Sequence, residues 1–350
     1  MKAKTYNLNG LVLSVLLVAS TAVSLTAQDA KKAYSESYDV NKGVTLEMDT
    51  KYSNVEILTW ENNVVDIFIE VQVNAPSRNR AEEVLGEAQV EIGRSGNTIT
   101  VETGWSEGSY RGIEKKISVT VKAPSYLNLN VDNAYGDLFI QEIGGLVLMD
   151  LKYSNLRAGK LTRGDAKPYN QIEFAYSNGT IDEAGWLELE IAYSEMEINA
   201  SEMISMESKY SKLSGMKAGG IVTEGAYDKY QFDEIDSFVA ELKYSGLKFG
   251  NLRRNLELQS NYTNVNILKL SRDFEKVDAS LSYGNITVEV DNGAAYKFDG
   301  ESRYGKINID RNGKLNRMKE GPTERVTGSV GSNPKATIRL VTKYGNIDIQ

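Results

Sequence analysis

The sequence predicts an all-β fold, a single-stranded parallel β-solenoid with coils of about 17–21 residues. One phrase recurs along the chain: a tyrosine, a small residue, a polar residue, and apolar residues three and five positions after the tyrosine. Its copies are spaced by 17 residues each time from Tyr176 to Tyr244, and apolar and polar residues alternate before each copy. The twelve tyrosines of the phrase are Tyr52, Tyr135, Tyr153, Tyr176, Tyr193, Tyr210, Tyr227, Tyr244, Tyr262, Tyr283, Tyr304 and Tyr344.

Each phrase is predicted to be a strand, a tight corner and a second strand. Leu256 and Leu258 precede Tyr262 at intervals of two, which indicates a strand with one buried face. Because the tyrosine has the parity of these apolar residues, we expect it to point inward or into the corner. The alternative is that the tyrosines face solvent, where they could stack on sugars. Val265 and Ile267 stand at odd offsets from the tyrosine, so the corner re-aims the chain. Serine or glycine, the usual residue after the tyrosine, tolerates such a bend.

A unit of 17 residues is too short for a helical crossover and too short to bury its own apolar face. Stacking the units in parallel solves both problems and produces a continuous core. Right-handed winding is favoured by the general rule for parallel connections. A propeller would need four strands in about 40 residues, and an antiparallel sandwich would not need a near-constant spacing. Side-chain ladders are expected from the tyrosines and from the asparagines two positions after them, Asn54, Asn155, Asn178, Asn264, Asn285 and Asn346.

Residues 1–27 are interpreted as a secretory signal peptide. Two lysines supply the positive start, the apolar stretch Leu11–Leu25 follows, and cleavage is expected after Ala27. The alternative, an uncleaved membrane anchor, is disfavoured because the stretch is shorter than the ~20 residues that span a bilayer. No transmembrane span is expected in the mature chain. We therefore expect an exported protein in the periplasm, associated with the outer membrane, or on the cell surface.

The remainder, 28–350, is predicted to be one continuous domain with three parts. Residues 28–125 are expected to form an irregular β sector that caps the solenoid, since an exposed terminal coil would invite edge-to-edge association. Residues 126–350 are expected to form the regular coils, interrupted at 311–335 by a long surface loop rich in Gly, Asn, Lys and Arg. The elements predicted in the cap are a strand at 65–71, a short helix at Ala81–Ala88, and strands at Ile99–Glu102 and Ile117–Lys122.

The composition excludes several classes of chemistry. The chain has no cysteine, so neither a disulfide framework nor a lipid on an N-terminal cysteine is available. It has no histidine, which removes the commonest general base and the commonest transition-metal ligand. The formal net charge is −8, and removing residues 1–27 takes away two lysines and no acid, which leaves −10. A net acidic chain without a basic cluster is not expected to bind nucleic acid or anionic lipid.

The segments ISVTVKAPSYLNLNVDNAYGDLFI and IRLVTKYGNIDIQ resemble the "putative adhesin" domains of exported β-helical Gram-negative envelope proteins, a family of unknown function. The resemblance covers residues 40–350 and rests on the repeated phrase and the terminal YGNI segment. It implies a β-helical exported protein. It carries no catalytic residues over to this chain, which departs from the family pattern in having tyrosine at nearly every corner.

The candidate chemical groups are carboxylates, lysines and one tryptophan. Glu188, Glu190, Glu195 and Glu197 alternate with apolar residues, so they are expected to face water rather than to form a catalytic pair. Asp233, Glu234 and Asp236 form the densest acidic group and could bind a calcium ion weakly. Trp105, in a Gly/Ser-rich segment, is expected to be exposed and is the best candidate for a binding contact. Five lysines directly precede a tyrosine and are expected to face outward, either as solubilising residues that protect the edge or as a stripe that binds an anionic glycan. They are Lys51, Lys152, Lys209, Lys243 and Lys343.

These observations predict no catalytic residue, no metal ligand and no cofactor. The leading hypothesis is a non-enzymatic binding, adhesion or scaffolding module of the cell envelope, with a glycan or another envelope polymer as partner. A polysaccharide-acting lyase or hydrolase is the first alternative, and a ligand-free periplasmic structural or sensor rod is the second. The sequence leaves the oligomeric state open.

Overall fold

The computed structural model describes residues 28–106, 108 and 110–350. The predicted signal peptide, 1–27, lies outside the described residues. Strands dominate the part of the chain that is described, which confirms the all-β prediction, and it contains one helix, Arg78–Leu85 (α1). No helix in this part is long and apolar enough to cross a membrane.

The 26 strands follow one another along the described chain. The N-terminal strands are Gln28–Asp39 (β1), Thr45–Lys51 (β2), Ser53–Thr59 (β3), Val64–Ala75 (β4), Ala88–Ser95 (β5), Thr98–Trp105 (β6) and Glu114–Ala123 (β7). The central strands are Asn128–Ala134 (β8), Asp137–Ile143 (β9), Val147–Lys152 (β10), Asn155–Leu161 (β11), Asn170–Ala175 (β12), Asn178–Ala192 (β13), Glu195–Lys209 (β14), Lys212–Ala226 (β15), Lys229–Lys243 (β16) and Gly246–Asn261 (β17). The C-terminal strands are Asn264–Leu270 (β18), Lys276–Ser282 (β19), Ile286–Val290 (β20), Tyr296–Arg303 (β21), Ile307–Ile309 (β22), Gly313–Glu320 (β23), Thr323–Val330 (β24), Ala336–Lys343 (β25) and Ile347–Ile349 (β26).

The strands form two walls that meet at the tyrosines. The first wall contains the segments that lead to a tyrosine, in the order β5-β6-β2-β8-β10-β12, then the second halves of β13 to β17, then β19-β25-β21-β24-β23. The second wall contains the segments that follow a tyrosine, in the order β1-β4-β7-β3-β9-β11, then the first halves of β13 to β17, then β18-β20-β26-β22. Each of the long strands β13 to β17 therefore turns the second corner without a break.

Successive coils pair in parallel and in register. Asn178 of β13 lies opposite Glu195 of β14, and Leu189 opposite Met206, so the neighbouring position is the one 17 residues further on. The apolar residue of one coil therefore stacks on the apolar residue of the next. The inward side chains of both walls form one core cluster that extends from Val40 to Ile349, with Leu46, Ile57 and Phe249 fully buried. The parallel stacking predicted from the repeat is what the structure contains.

Antiparallel strands cover both ends of the stack. At the N-terminal end β1 pairs with β4 along its whole length, β4 pairs with β7, and β5 pairs with β6. The predicted helix is present but begins three residues earlier than expected, because Ser77 caps it by accepting a hydrogen bond from the Arg80 N–H (3.4 Å). The predicted strands at 65–71, Ile99–Glu102 and Ile117–Lys122 lie within β4, β6 and β7.

The predicted surface loop at 311–335 is wrong. β23 and β24 form an antiparallel hairpin that turns at Gly321 (φ +56°) and Pro322, and β24 pairs with β21 at the end of the first wall. Val326 and Val330 of this hairpin are buried, whereas nearly all of β23 is exposed. Charged residues, which made the segment look like a loop, are characteristic of edge strands, where they prevent pairing with other chains.

The last coil is inserted between two earlier ones. β25 pairs in parallel with β19 on one side and with β21 on the other, and β26 lies between β20 and β22 in the same way. The tyrosine corner of the chain's final phrase, at Tyr344, therefore lies between those of Tyr283 and Tyr304. The tyrosine corners follow chain order up to Tyr283, and their spatial order departs from chain order only here.

Candidate binding surface: the tyrosine ladder

The twelve tyrosines form a continuous exposed ladder at the corner between the two walls. The predicted inward packing is wrong and the alternative, exposure to solvent, is what the structure contains, because each of these tyrosines is 44–51% exposed. Consecutive ring centroids are 4.6–5.1 Å apart and the ring planes are within 17° of parallel. The spatial order is Tyr52, Tyr135, Tyr153, Tyr176, Tyr193, Tyr210, Tyr227, Tyr244, Tyr262, Tyr283, Tyr344, Tyr304. Eleven contacts at strand spacing make the ladder about 50 Å long.

The backbone at the tyrosines explains their direction. All twelve have a left-handed conformation, with φ between +52° and +65°. This conformation interrupts the alternation of the strand at the tyrosine itself, so the tyrosine side chain turns outward and the next residue turns inward. Each tyrosine N–H donates to the carbonyl that precedes the tyrosine of the next coil, at 2.7–3.1 Å, except that Tyr304 donates to Pro322. The corner is thus hydrogen-bonded from coil to coil.

The residue after the tyrosine forms a buried row beneath the ladder. Ser177, Ser194 and Ser211 are almost fully buried. Their hydroxyls accept hydrogen bonds from the backbone N–H of the corresponding residue one coil earlier, at 3.0, 3.1 and 3.3 Å. Asp228, Ser245 and Thr263 continue the row in the same way, at 2.8, 3.2 and 3.4 Å. Serine at this position therefore connects the coils.

Asp228 is the one carboxylate in this row. One of its oxygens accepts from the Ser211 N–H, and the other accepts from the hydroxyls of Ser208 (2.9 Å) and Tyr230 (3.5 Å). Burial raises the pKa of the Asp228 carboxyl, and its hydrogen-bond donors counteract this rise in part. Burial and the neighbouring Asp228 charge also raise the pKa of Tyr230. Gly225 leaves room for the group, because a Cβ there would lie 2.5 Å from an Asp228 oxygen.

The N-terminal end of the ladder is closed by a cation and two aromatic rings. The Lys115 ammonium lies 3.3 Å from the centroid of Tyr110, 4.8 Å from that of Trp105 and 5.8 Å from that of Tyr52. Burial lowers the pKa of Lys115, whereas the attraction of the ring faces for the cation favours the charged ammonium. Trp105 is therefore partly buried and packs against the core, so the expectation that it is exposed is wrong, and its role as a binding contact stays a prediction. At the other end the Arg303 guanidinium lies 5.3 Å from the ring of Tyr304.

Polar side chains flank the ladder on both sides. The five lysines predicted to face outward are exposed, and the ammonium groups of Lys51, Lys209 and Lys343 lie 5.6–5.7 Å from their own tyrosine rings. The asparagine ladder is present in part. Side-chain oxygens of Asn264 and Asn285 accept from the backbone N–H of the next asparagine in space, at 3.1 and 2.9 Å.

An acidic column runs along the outer face of the first wall, and every member except Glu102 lies three residues before a tyrosine of the ladder. Its members lie directly opposite one another in consecutive parallel pairs, Glu102, Asp49, Asp132, Asp150, Glu173, Glu190, Glu207, Glu224 and Glu241. Burial and the charges of Asp150 and Asp49 raise the pKa of Asp132. Sequence reasoning missed this column, although an acid precedes the tyrosine by three residues in nine of the twelve phrases.

The other predicted acidic groups do not form a site. Glu190, Glu195 and Glu197 are exposed on the outer faces, as predicted. Glu234 pairs with Lys217 and Arg253, and Asp236 pairs with Arg253, at 3.3–3.7 Å, so cations of the chain already neutralise this group. Over residues 28–106, 108 and 110–350, no three acidic side chains are placed to hold a metal ion.

A family model described as Toastrack DUF4097 matches residues 44–350. Among solved structures, a "putative adhesin" from Parabacteroides distasonis is 10% identical, with a TM-score of 0.41, and covers 74% of this chain and 97% of its own. A "putative adhesin" from Parabacteroides merdae is 13% identical, with a TM-score of 0.41, and covers 74% and 96%. A "putative lipid binding protein" from P. distasonis is 9% identical, with a TM-score of 0.34, and covers 91% and 96%. No curated protein matches the chain.

Proposed function

The chain belongs to the Toastrack DUF4097 family, and we propose that it is an exported, non-enzymatic binding and scaffolding module of the cell envelope whose binding surface is the tyrosine ladder. The observation that carries this proposal is the exposure of twelve stacked tyrosines along one corner. Contiguous exposed aromatic surface of this extent is characteristic of interaction sites rather than of ordinary protein surface.

The energetics of the corner support a role beyond stability. A left-handed conformation costs a residue with a side chain about 1–2 kcal/mol, and glycine would adopt it without strain. A stacked aromatic pair contributes about 0.5–1.5 kcal/mol. Strain and stacking are therefore of similar size over the ladder, and glycine corners would serve the fold about as well. What only tyrosine supplies is the row of exposed ring edges and hydroxyl groups.

The geometry of the ladder selects an extended, periodic partner. Both faces of every inner ring are covered by its neighbours, so a sugar cannot stack on them and contact is limited to ring edges and hydroxyls. A shallow groove of about 590 Å³ follows Tyr176, Tyr193, Tyr210 and Tyr227 and is lined on its other side by polar side chains such as Glu195 and Lys212. A glycan or another envelope polymer, the partner expected from the sequence, would bind here through hydrogen bonds.

A non-enzymatic role fits the placement of the carboxylates. The acidic column lies on an open outer face, whereas acid–base catalysis relies on preorganised groups in a site that excludes water. We further propose that residues 28–350 act as one domain, that 28–125 cap it, and that the coil winds right-handed, as parallel connections generally do.

The test is retention of the protein by the envelope. We expect the insoluble envelope fraction to bind wild-type protein at least tenfold more tightly than a variant with Tyr176, Tyr193, Tyr210 and Tyr227 changed to Asn, which tolerates the left-handed conformation. The matched control changes the exposed Met216 and Leu268, which lie away from the ladder, to Asn. Equal binding by the wild-type and ladder variants would contradict the proposal. Protease digestion of intact and lysed cells would locate the protein, on the cell surface or in the periplasm.

A further inference from the structure

We propose that the periodic partner of the tyrosine ladder is the ladder of a second copy of this chain. This inference rests on the proposed function, since it names the occupant of the same surface. It follows from three properties of the ladder: its period, the area it exposes and the part of each ring that it exposes.

The period of the ladder restricts which partner can engage all of it. Rungs repeat at 4.6–5.1 Å over twelve tyrosines, because the parallel hydrogen bonds between coils set the spacing. A polymer with a different repeat loses register after a few rungs. A second copy has the same repeat by construction, so every rung meets an equivalent rung over the whole length of the ladder.

The exposed area is sufficient for a stable dimer. A tyrosine offers about 150–250 Å² of surface, and roughly half of each of the twelve rings is exposed. The ladder therefore presents about 1,200 Å², compared with the roughly 800 Å² that each partner contributes to a standard interface. Two-thirds of the ladder would be enough.

The exposed part of each ring fits a like surface. Ring faces are closed by neighbours at 4.6–5.1 Å, which leaves no room for a partner's ring between them, so a partner meets a continuous row of ring edges and hydroxyl groups. Because each hydroxyl can both donate and accept a hydrogen bond, a second row with the same spacing can pair with it hydroxyl to hydroxyl. The position before the tyrosine is alanine at Ala134, Ala175, Ala192 and Ala226 and lysine in five other phrases, so a second ladder can approach most closely at the alanine rungs.

The experiment measures the oligomeric state of the protein purified from cells that export the full chain. We expect sedimentation velocity in about 0.15 M salt, which screens the net negative charge beyond ~8 Å, to detect a concentration-dependent dimer between about 1 and 100 µM. The variant Ala192→Lys with Ala226→Lys puts long charged side chains beside the ladder and leaves the ring stack intact. Lys209 and Lys243 occupy the same column, so this variant is compatible with the fold. We expect it to dimerise at least tenfold more weakly.

The control Met216→Lys with Leu268→Lys adds the same charge at exposed positions away from the ladder and is expected to dimerise like the wild type. A wild-type protein that stays monomeric at the highest concentration overturns the inference, and so does equal weakening of the dimer by the two variants.

The two proposals can fail separately. If the protein is monomeric and its Tyr→Asn variant still loses envelope binding, the dimer is ruled out and the proposed function stands. If the dimer depends on the ladder but envelope binding does not, the dimer stands and the proposed function is contradicted.

Discussion

A left-handed tyrosine is the residue-scale feature on which this molecule depends. Bulky residues rarely adopt positive φ, yet the conformation recurs at Tyr52 and at each later corner of the stack. It is maintained because the tyrosine N–H bonds to the next coil and because the following residue enters the buried row. The same φ turns the ring outward, so a single backbone angle decides whether the ladder is core or surface.

The buried row makes a prediction about Asp228. The change Asp228→Asn keeps an oxygen for the Ser211 N–H and removes a buried charge. The pKa of this carboxyl is raised in the folded state, so the folded protein holds the proton more tightly than the unfolded chain does. Wild-type stability therefore falls as the pH rises from the unfolded-state pKa of about 4 through the folded pKa.

The Asn variant lacks this dependence. We expect its melting temperature to match the wild type near pH 4 and to exceed it by about 1–2 °C at pH 7, which corresponds to about 1 kcal/mol in a domain of this size. Thermal unfolding followed by circular dichroism between pH 4 and 8 is the measurement. The control Asp233→Asn changes an exposed carboxylate. We expect its melting temperature to follow that of the wild type throughout this pH range. A wild-type stability that rises through this range, or a variant that is less stable at pH 7, would show that the hydrogen bonds of the carboxylate outweigh its burial.

At the scale of the corner element, the chain uses two constructions. Serine corners connect coils through the hydroxyl, whereas glycine corners bring the backbones into close approach. A Cβ at Gly136, Gly284, Gly305 or Gly345 would lie 1.8–2.0 Å from a carbonyl oxygen of the adjacent coil. Serine cannot replace glycine at these corners, even though both occupy the same place in the phrase.

This difference predicts the effect of Gly284→Ala. The new methyl group would meet the Thr263 backbone, with the carbonyl oxygen at 1.8 Å, and hydrogen-bonded backbone cannot move aside as the end of a side chain can, so we expect a loss of about 3 kcal/mol or more. Gly246→Ala is the matched control, since nothing lies within 4 Å of a Cβ there, and its stability should stay within about 0.5 kcal/mol of the wild type. Urea unfolding measures both. Equal effects of the two changes would mean that the glycine corners are not closely packed.

The repeat could be predicted from the sequence because the pattern of the strands is local. The alternation of apolar and polar residues predicted the strands within β4, β6 and β7, and the repeat of this pattern predicted the parallel stacking. Both follow from which residues are apolar. The direction of the tyrosines could not be predicted in this way. Alternation assumes extended backbone throughout, and the left-handed angle at the tyrosine reverses the parity without changing any residue type.

Two other misses have equally specific causes. The strand β1 was not predicted from the sequence. It contains few apolar residues, because it is an edge strand that covers the stack and its partner β4 supplies the buried side chains. Trp105 lies in a segment that looks like a loop, but it occupies the end of β6 beside Tyr52, where Lys115 and Tyr110 cover it. The acidic column, in contrast, could have been found by reading position −3 of every phrase together.

At the scale of the whole molecule, the inserted last coil makes the two ends unequal. The N-terminal end is covered by strands that pair with it directly, whereas β21 and β22 depend on β25 and β26 for their parallel neighbours. The stability of the Tyr304 coil is therefore supplied by residues far from it in the chain.

Deleting residues 336–350 tests this dependence. We expect 291–335 to become sensitive to protease while 28–290 stays protected, because β19 and β20 keep their neighbours β17 and β18. Limited proteolysis with mass spectrometry would give the boundary. The control replaces 313–330 by a short Gly/Ser linker, which is geometrically possible because Gly313 and Val330 are paired, and should leave β21 protected. A truncated protein that stays resistant up to residue 310 would contradict this account.

The insertion of the last coil also determines when folding can be completed. In a chain that is exported N-terminus first, each coil up to Val290 can settle on the one before it as it emerges. The Tyr304 coil cannot complete its parallel pairing until β25 and β26 have emerged, because these strands are its neighbours and come last in the chain. In a chain that ends before β25, the Tyr304 coil has no parallel neighbour, so only the complete chain can close the stack.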